Sequence, residues 1–229
     1  MSRRDELAAN LADVEARIVA ACAAADRSRA EVTLIAVTKT WPLEDCRLLR
    51  DLGVADLGEN RDQEAAQKAA SLDGVRWHFV GSVQTNKARH VTTYADVVHS
   101  VDRERLVTAL GAGAEAAGRT VEALIQVSLD DDPARGGAPA DAVPALGELV
   151  AGTAGLRLGG VMAVAPLGAD PVAAFARLAR IAERLRADHP QATTISAGMT
   201  GDLEQAVAAG ATHLRVGTAV LGPRPAPLR

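Results

Sequence analysis

Lys39 follows the apolar run Thr33-Leu34-Ile35-Ala36-Val37, and Trp41-Pro42 closes the stretch behind it. The run lacks polar alternation, so it reads as a strand buried on both faces. A primary amine at such a strand end has two uses. It can reach water on its aliphatic stem, the ordinary case, or it can condense with a carbonyl. Two later stretches carry a different chemistry. "SAGMTGD" (196–202) supplies Thr200 and a helix start at Gly201-Asp202, and "RVGT" (215–218) supplies Gly217 and Thr218. Glycine lets a backbone approach an anion closely, and hydroxyl and N–H donors at a turn suit phosphate. The same residues also make two ordinary turns with Asp202 as a helix cap. Arg215 lies inside the apolar run that precedes Gly217. A guanidinium there needs either a salt-bridge partner or a ligand.

The elements that must position these groups follow a simple alternation. Apolar runs at 33–38, 54–58, 76–81, 96–101, 122–128, 156–163, 193–197 and 212–216 read as eight strands. Helical patterns fill 43–51, 60–70, 85–93, 102–117, 140–151, 171–187 and 201–209. Ser2 and Asp5 form a capping-box-like start to an earlier amphipathic helix that runs to about residue 28. Eight β/α units predict a closed (β/α)8 barrel of the TIM type, with an extra N-terminal helix over 1–28 and a short tail over 223–229, all in one domain. An open doubly wound sheet is the alternative. It needs a topological switch point, and no GxGxxG stretch favours it. In the barrel, working groups gather at the strand ends and phosphate commonly binds after strands seven and eight. The first and eighth strands are neighbours, so Lys39 and Arg215 can face one cavity.

The totals exclude other classes. The chain has 229 residues, 48% of them hydrophobic, and a formal net charge of -4, which argues against a nucleic-acid surface. Its two cysteines, Cys22 and Cys46, have no metal or disulfide spacing. The start, "MSRRDELAAN", is charged where a signal peptide is apolar, and no run approaches the roughly 18 apolar residues that span a bilayer. The expectation is a cytoplasmic monomer with no metal and no membrane contact.

An amine, a phosphate cradle and an arginine on one rim describe a pocket for pyridoxal 5′-phosphate. The lysine forms an aldimine with the aldehyde, the loops hold the phosphate and the arginine meets the ring nitrogen. The segments "LIAVTKTWP", "LGENRDQE", "WHFVGSVQTNK", "HSVDRERL", "GVMAVAP" and "SAGMTGDLEQAVAAGATHLRVGTAVLGPR", in that order, cover nearly the whole chain. Together they resemble the pyridoxal 5′-phosphate homeostasis protein family, whose barrel is of the alanine racemase type without that enzyme's β-rich second domain. The resemblance implies a covalent link at Lys39 and a contact from Arg215 to the pyridine nitrogen. It implies phosphate contacts at Met199, Thr200, Gly217 and Thr218, with Ser196 supporting Arg215. Asn60, His78 and Met162 are implied as pocket wall, where His78 also suits a satisfied barrel histidine, Met162 plain core and Asn60 a helix cap. This chain departs from the family at Thr200 (usually serine), at Ala197 (usually methionine) and at "LGEN" (usually "FGEN"). Near Arg135 a lysine is common, and an arginine cannot form an aldimine at a secondary site.

Three functions compete at this point. The first is a non-catalytic carrier and regulator of the vitamin B6 and amino-acid pools, serving apo forms of pyridoxal-phosphate enzymes. The second is a weak amino-acid racemase, which needs a base on each face of the reacting carbon. The single tyrosine, Tyr94, is expected away from the rim. The third is a phosphate-handling barrel isomerase without the cofactor.

Overall fold

The structure, a computed structural model, describes residues 1–130 and 136–223. The expectation at Arg135, and that for the tail beyond Pro223, lie outside the described residues. α1 (Arg3–Ala24) leads into β1 (Thr33–Val37), α2 (Leu43–Asp51), β2 (Asp56–Glu59), α3 (Asp62–Ala69), β3 (Arg76–Phe79) and α4 (Ala88–Val91). There follow β4 (Val97–Val101), α5 (Glu104–Ala116), β5 (Val121–Gln126), α6 (Val143–Ala151), β6 (Leu156–Met162) and α7 (Pro171–Asp188). β7 (Thr194–Ser196), α8 (Leu203–Ala208), β8 (His213–Val216) and α9 (Thr218–Leu221) complete the described chain. The strands pair in sequence order, all parallel, and β8 closes on β1. This is the (β/α)8 barrel that the alternation predicts. Each expected strand is present, with ends shifted by no more than two residues.

Two differences have local causes. The first helix stops at Ala24, short of residue 28, because Asp26 takes a left-handed φ of 52°. The Arg27 N–H then returns to the Cys22 carbonyl at 2.9 Å, a common way to satisfy a helix end. The short α9 after β8 carries too few residues to show a helical period. The capping box at α1 is present: the Asp5 N–H donates to Ser2 Oγ at 3.2 Å, and the Ser2 N–H donates to Asp5 Oδ2 at 2.9 Å.

α1 braces the part of the barrel that carries the glycine-rich turns. Arg17 pairs with Glu204 at 2.8 Å and donates to the Thr200 carbonyl at 2.9 Å. Arg3 pairs with Asp45 at 2.9 Å and donates to the Leu221 carbonyl at 3.0 Å. Asn10 donates to the Val220 carbonyl at 3.0 Å. The N-terminal helix thus ties down the segments after both β7 and β8.

Two shells of apolar side chains fill the molecule. The main core lies between the strands and the helices, and a small second cluster of Val97, Leu124 and Met162 lies in the lumen. Met162 faces inward because the β5–β6 register slips at Gly160: Ala123 pairs with Leu158, but Leu124 pairs with Gly160. One extra residue on β6 switches the side on which later residues point. Only glycine suits the slip, since φ is 145° and a Cβ would stand 2.0 Å from the Thr194 carbonyl oxygen.

Candidate functional site

The strand ends bring the predicted chemical groups to one opening. A cavity of about 420 Å³ is lined by Lys39 and Trp41 after β1, Arg215 on β8, Met199, Thr200 and Gly201 after β7, and Gly217 and Thr218 after β8. Its size falls in the usual range for small-molecule sites. Val37, Val80 and Val164 supply apolar wall. Lys39, Arg215, Met199, Thr200, Gly217 and Thr218 therefore share one cavity. The other four residues implied by the resemblance lie beside or below it.

Ser196 is fully buried beneath the cavity and accepts a 2.6 Å hydrogen bond from Arg215 Nη1. Arg215 Nη2 donates to the Ala163 carbonyl at 2.9 Å. Burial, opposed by Asp202, pulls the guanidinium down to about 10, which still leaves it cationic at neutral pH. Met162 sits in the lumen cluster. His78 lies deeper, between His99 at 2.9 Å and Asp56 at 2.8 Å. Asn60 lines a neighbouring cavity of about 600 Å³ with Arg61, Gln84 and Lys87. Tyr94 packs on His90 and donates to Asp62 Oδ1 at 3.2 Å, on the outer α3–α4 side.

The loops around the opening are held by their own bonds. Thr200 Oγ1 accepts from the Ala219 N–H at 3.3 Å, which joins the β7 and β8 turns. Asp202 Oδ1 accepts from the Met199 N–H at 2.6 Å.

A second group of residues, unmarked by the sequence reading, grips the backbone on both sides of Lys39. Lys68 on α3 is buried, and its Nζ donates to the Thr38 carbonyl at 2.9 Å, to Glu59 Oε1 at 2.7 Å and to Glu64 Oε1 at 2.7 Å. Thr38 Oγ1 donates to Glu59 at 2.6 Å, and the Thr40 N–H donates to Glu64 at 2.8 Å. Thr40 itself takes a left-handed φ of 69°, unusual for a β-branched residue. Lys68 and Glu64 thus pin the peptides before and after Lys39. Burial works against the Lys68 ammonium, but Glu59 and Glu64 outweigh it and raise its pKa. Burial also raises Glu59, whose Oε2 has no hydrogen-bond partner, although Lys68 and Thr38 oppose the shift. Two carboxylates around one cation account for the rise at Lys68, and burial accounts for the rise at Glu59. The signal in the sequence was the spacing of Glu59, Glu64 and Lys68, with Glu64 and Lys68 one helical turn apart.

The lumen also holds histidines that resist protonation. Burial, then His78, lowers His213 from the ordinary 6.5 to about 4, and burial carries His99 well below 6.5. A neutral imidazole in the fold and a protonated one in the unfolded chain mean that stability is full above 6.5 and falls with acidification. Each such group costs about 1.4 kcal/mol per pH unit within that window. Chemical denaturation between pH 7 and pH 4.5 should show this decline, and His213→Phe should flatten it. An equally steep decline in the variant would remove His213 as a source.

The family described as alanine racemase, N-terminal domain, matches residues 7–225. The pyridoxal phosphate homeostasis protein of Mycobacterium tuberculosis is 42% identical over 97% of this chain and 94% of its own length. The Escherichia coli K12 protein of the same name is 36% identical over 96% and 97%. PipY of Synechococcus elongatus, solved with PLP bound, superposes with a TM-score of 0.83 at 33% identity, covering 94% of this chain and 100% of that one. Alanine racemase of Clostridium difficile 630 shares the fold, with a TM-score of 0.76 at 13% identity, and this chain spans 58% of it.

Proposed function

The chain belongs to the pyridoxal phosphate homeostasis protein family, with a barrel of the alanine racemase N-terminal domain type, and on that premise we propose that it carries pyridoxal 5′-phosphate without catalysing a reaction on it. Lys39 holds the cofactor covalently and reversibly, Arg215 meets the ring nitrogen, and Met199, Thr200, Gly217 and Thr218 take the phosphate. Ser196 backs Arg215, and Asn60, His78 and Met162 shape the surroundings. The observation that carries this reading is the convergence of Lys39, Arg215 and the two hydroxyl-bearing glycine turns on one 420 Å³ cavity. An amine, a guanidinium and two hydroxyls fit an anionic aldehyde. When bound, the cofactor supplies a carbonyl carbon open to an amine and an electron-withdrawing ring.

The lining also favours carriage over turnover. Among the described residues that line the cavity, Lys39 is the one side chain able to act as a base. Racemisation needs a second on the opposite face. Arg215 donates hydrogen bonds and stays cationic, so it disfavours a protonated ring nitrogen and weakens the ring as an electron sink. A cavity that opens at the strand ends lets an amine or an apo-enzyme collect the cofactor by exchange at the carbonyl carbon. The protein then regulates the vitamin B6 and amino-acid pools as a cytoplasmic monomer serving apo forms of pyridoxal-phosphate enzymes. No helix among the described residues is long and apolar enough to cross a membrane.

Titration of the purified protein with pyridoxal phosphate should produce a visible absorbance band that cyanoborohydride removes, with one modified peptide containing Lys39. The loaded protein should leave the enantiomeric composition of L- or D-alanine unchanged in a chiral assay. Absence of the band on titration would overturn the binding reading, and steady interconversion of the enantiomers would overturn the non-catalytic one.

A further inference from the structure

The lumen below the cavity holds a line of hydrogen bonds that runs from its mouth to its base. Arg215 Nη1 donates to Ser196 Oγ at 2.6 Å, and Ser196 Oγ lies 3.0 Å from His99 Nδ1. His99 Nε2 lies 2.9 Å from His78 Nδ1, and His78 Nε2 lies 2.8 Å from Asp56 Oδ1. The five residues come from β8, β7, β4, β3 and β2. Ser196, His99 and His78 are at most 1% exposed, so the links are made away from bulk water. Asp56, whose side chain is 15% exposed, anchors the lower end.

The chemistry of the two ends, with one N–H on each imidazole, sets the direction of every link. A carboxylate only accepts, so His78 donates to Asp56 through Nε2–H. With that as its one N–H, His78 accepts at Nδ1, which makes His99 the donor through its own Nε2–H. His99 therefore accepts at Nδ1, and the Ser196 hydroxyl donates to it. The oxygen of Ser196 is left as acceptor toward Arg215, which can only donate. With one N–H on each ring, reversing the line would set an imidazole lone pair against the Asp56 carboxylate. Burial, with His78 and Arg215 close by, holds His99 neutral, as this order requires. A hydroxyl that donates onward is also the stronger acceptor, because hydrogen bonds in series polarise one another.

We propose that His99 and His78 are positioning residues for Arg215: through Ser196 they present a hydroxyl acceptor of one fixed polarity that holds the guanidinium in the orientation it offers to the cofactor ring. The ring contact rests on the proposed function above; the polarity of the relay does not. His213, whose ring lies 6.3 Å from that of His78, flanks the relay without entering the line.

Two measurements test it. In the cofactor-free protein, nitrogen-15 NMR of the imidazoles should show His99 and His78 as Nε2–H tautomers at neutral pH. An Nδ1–H tautomer at His99 overturns the relay. In the loaded protein, His99→Leu removes both links and should move the absorbance maximum and weaken cofactor affinity roughly tenfold, the size of about one hydrogen bond. His99→Gln keeps an acceptor and a donor and should restore affinity to within about twofold, a recovery set by the same hydrogen-bond scale. A folded His99→Leu with unchanged spectrum and affinity overturns the positioning role, as does a folded His99→Gln that is no better. If His99→Leu fails to fold, Ser196→Ala takes its place, with the same expected and opposing results. If the wild type takes up no cofactor, the proposed function fails while the tautomer measurement still decides the relay.

Discussion

Lys39→Ala eliminates covalent capture of pyridoxal phosphate altogether, the largest single effect expected in this protein. The chain has three lysines, Lys39, Lys68 and Lys87. Lys68 donates to three acceptors in a buried cluster and is held as a cation, so its nitrogen has no lone pair to attack with. Lys87 lines the neighbouring cavity with Asn60, away from Thr200 and Thr218. Of the three, Lys39 alone shares a cavity with the glycine turns and Arg215. The variant should therefore give no reducible band and no modified peptide. It should still bind the cofactor weakly and reversibly through the phosphate turns. Peptide mapping after cyanoborohydride treatment decides the matter, and a stoichiometric adduct on Lys87 in either protein would sink the assignment.

Lys68→Met costs about 3–5 kcal/mol of stability, the range for breaking a buried ion pair from one side. The substitution keeps the volume but leaves Glu59 and Glu64 facing each other without their cation. It also takes a donor from the Thr38 carbonyl, next to Lys39. In a domain of this size that loss corresponds to a melting temperature lower by roughly 10 °C. Thermal and urea denaturation measure it directly. Adding Glu59→Gln should recover part of the loss, because the uncompensated buried charge is the main cost. A drop below about 1 kcal/mol in the single variant, the size of an exposed pair, would mean the cluster is solvated. In a population that remains folded, covalent capture by Lys39 should also slow, since the peptides on either side of it lose their clamps.

The barrel was legible because its elements are local. Eight apolar runs separated by helical periods define strand number and order, and parallel neighbours leave few other ways to bury those runs. Lys39 and Arg215 stood out for a related reason, a charge at the end of one buried strand and within another. The Lys68 cluster was missed because a lysine among charged residues on a helix reads as surface. Its burial depends on β2 bringing Glu59 beneath α3 and on the Thr38 carbonyl, just after β1, reaching it. Met162 needed the slip at Gly160 to face the lumen, and strand periodicity carries no sign of that.

The amino-acid sequence alone determined the strand count, the closed order and the amine, arginine and glycine turns that meet at the mouth. Each follows from neighbours within a few residues or from the fixed adjacency of consecutive strands. Only the tertiary structure decided that Asp56, His78, His99 and Ser196 form one line ending on Arg215. Those contacts join residues 19–97 positions apart. They depend on the register of five strands around a closed lumen, and hydrogen-bond geometry at that precision is a property of the closed barrel, absent from any one segment.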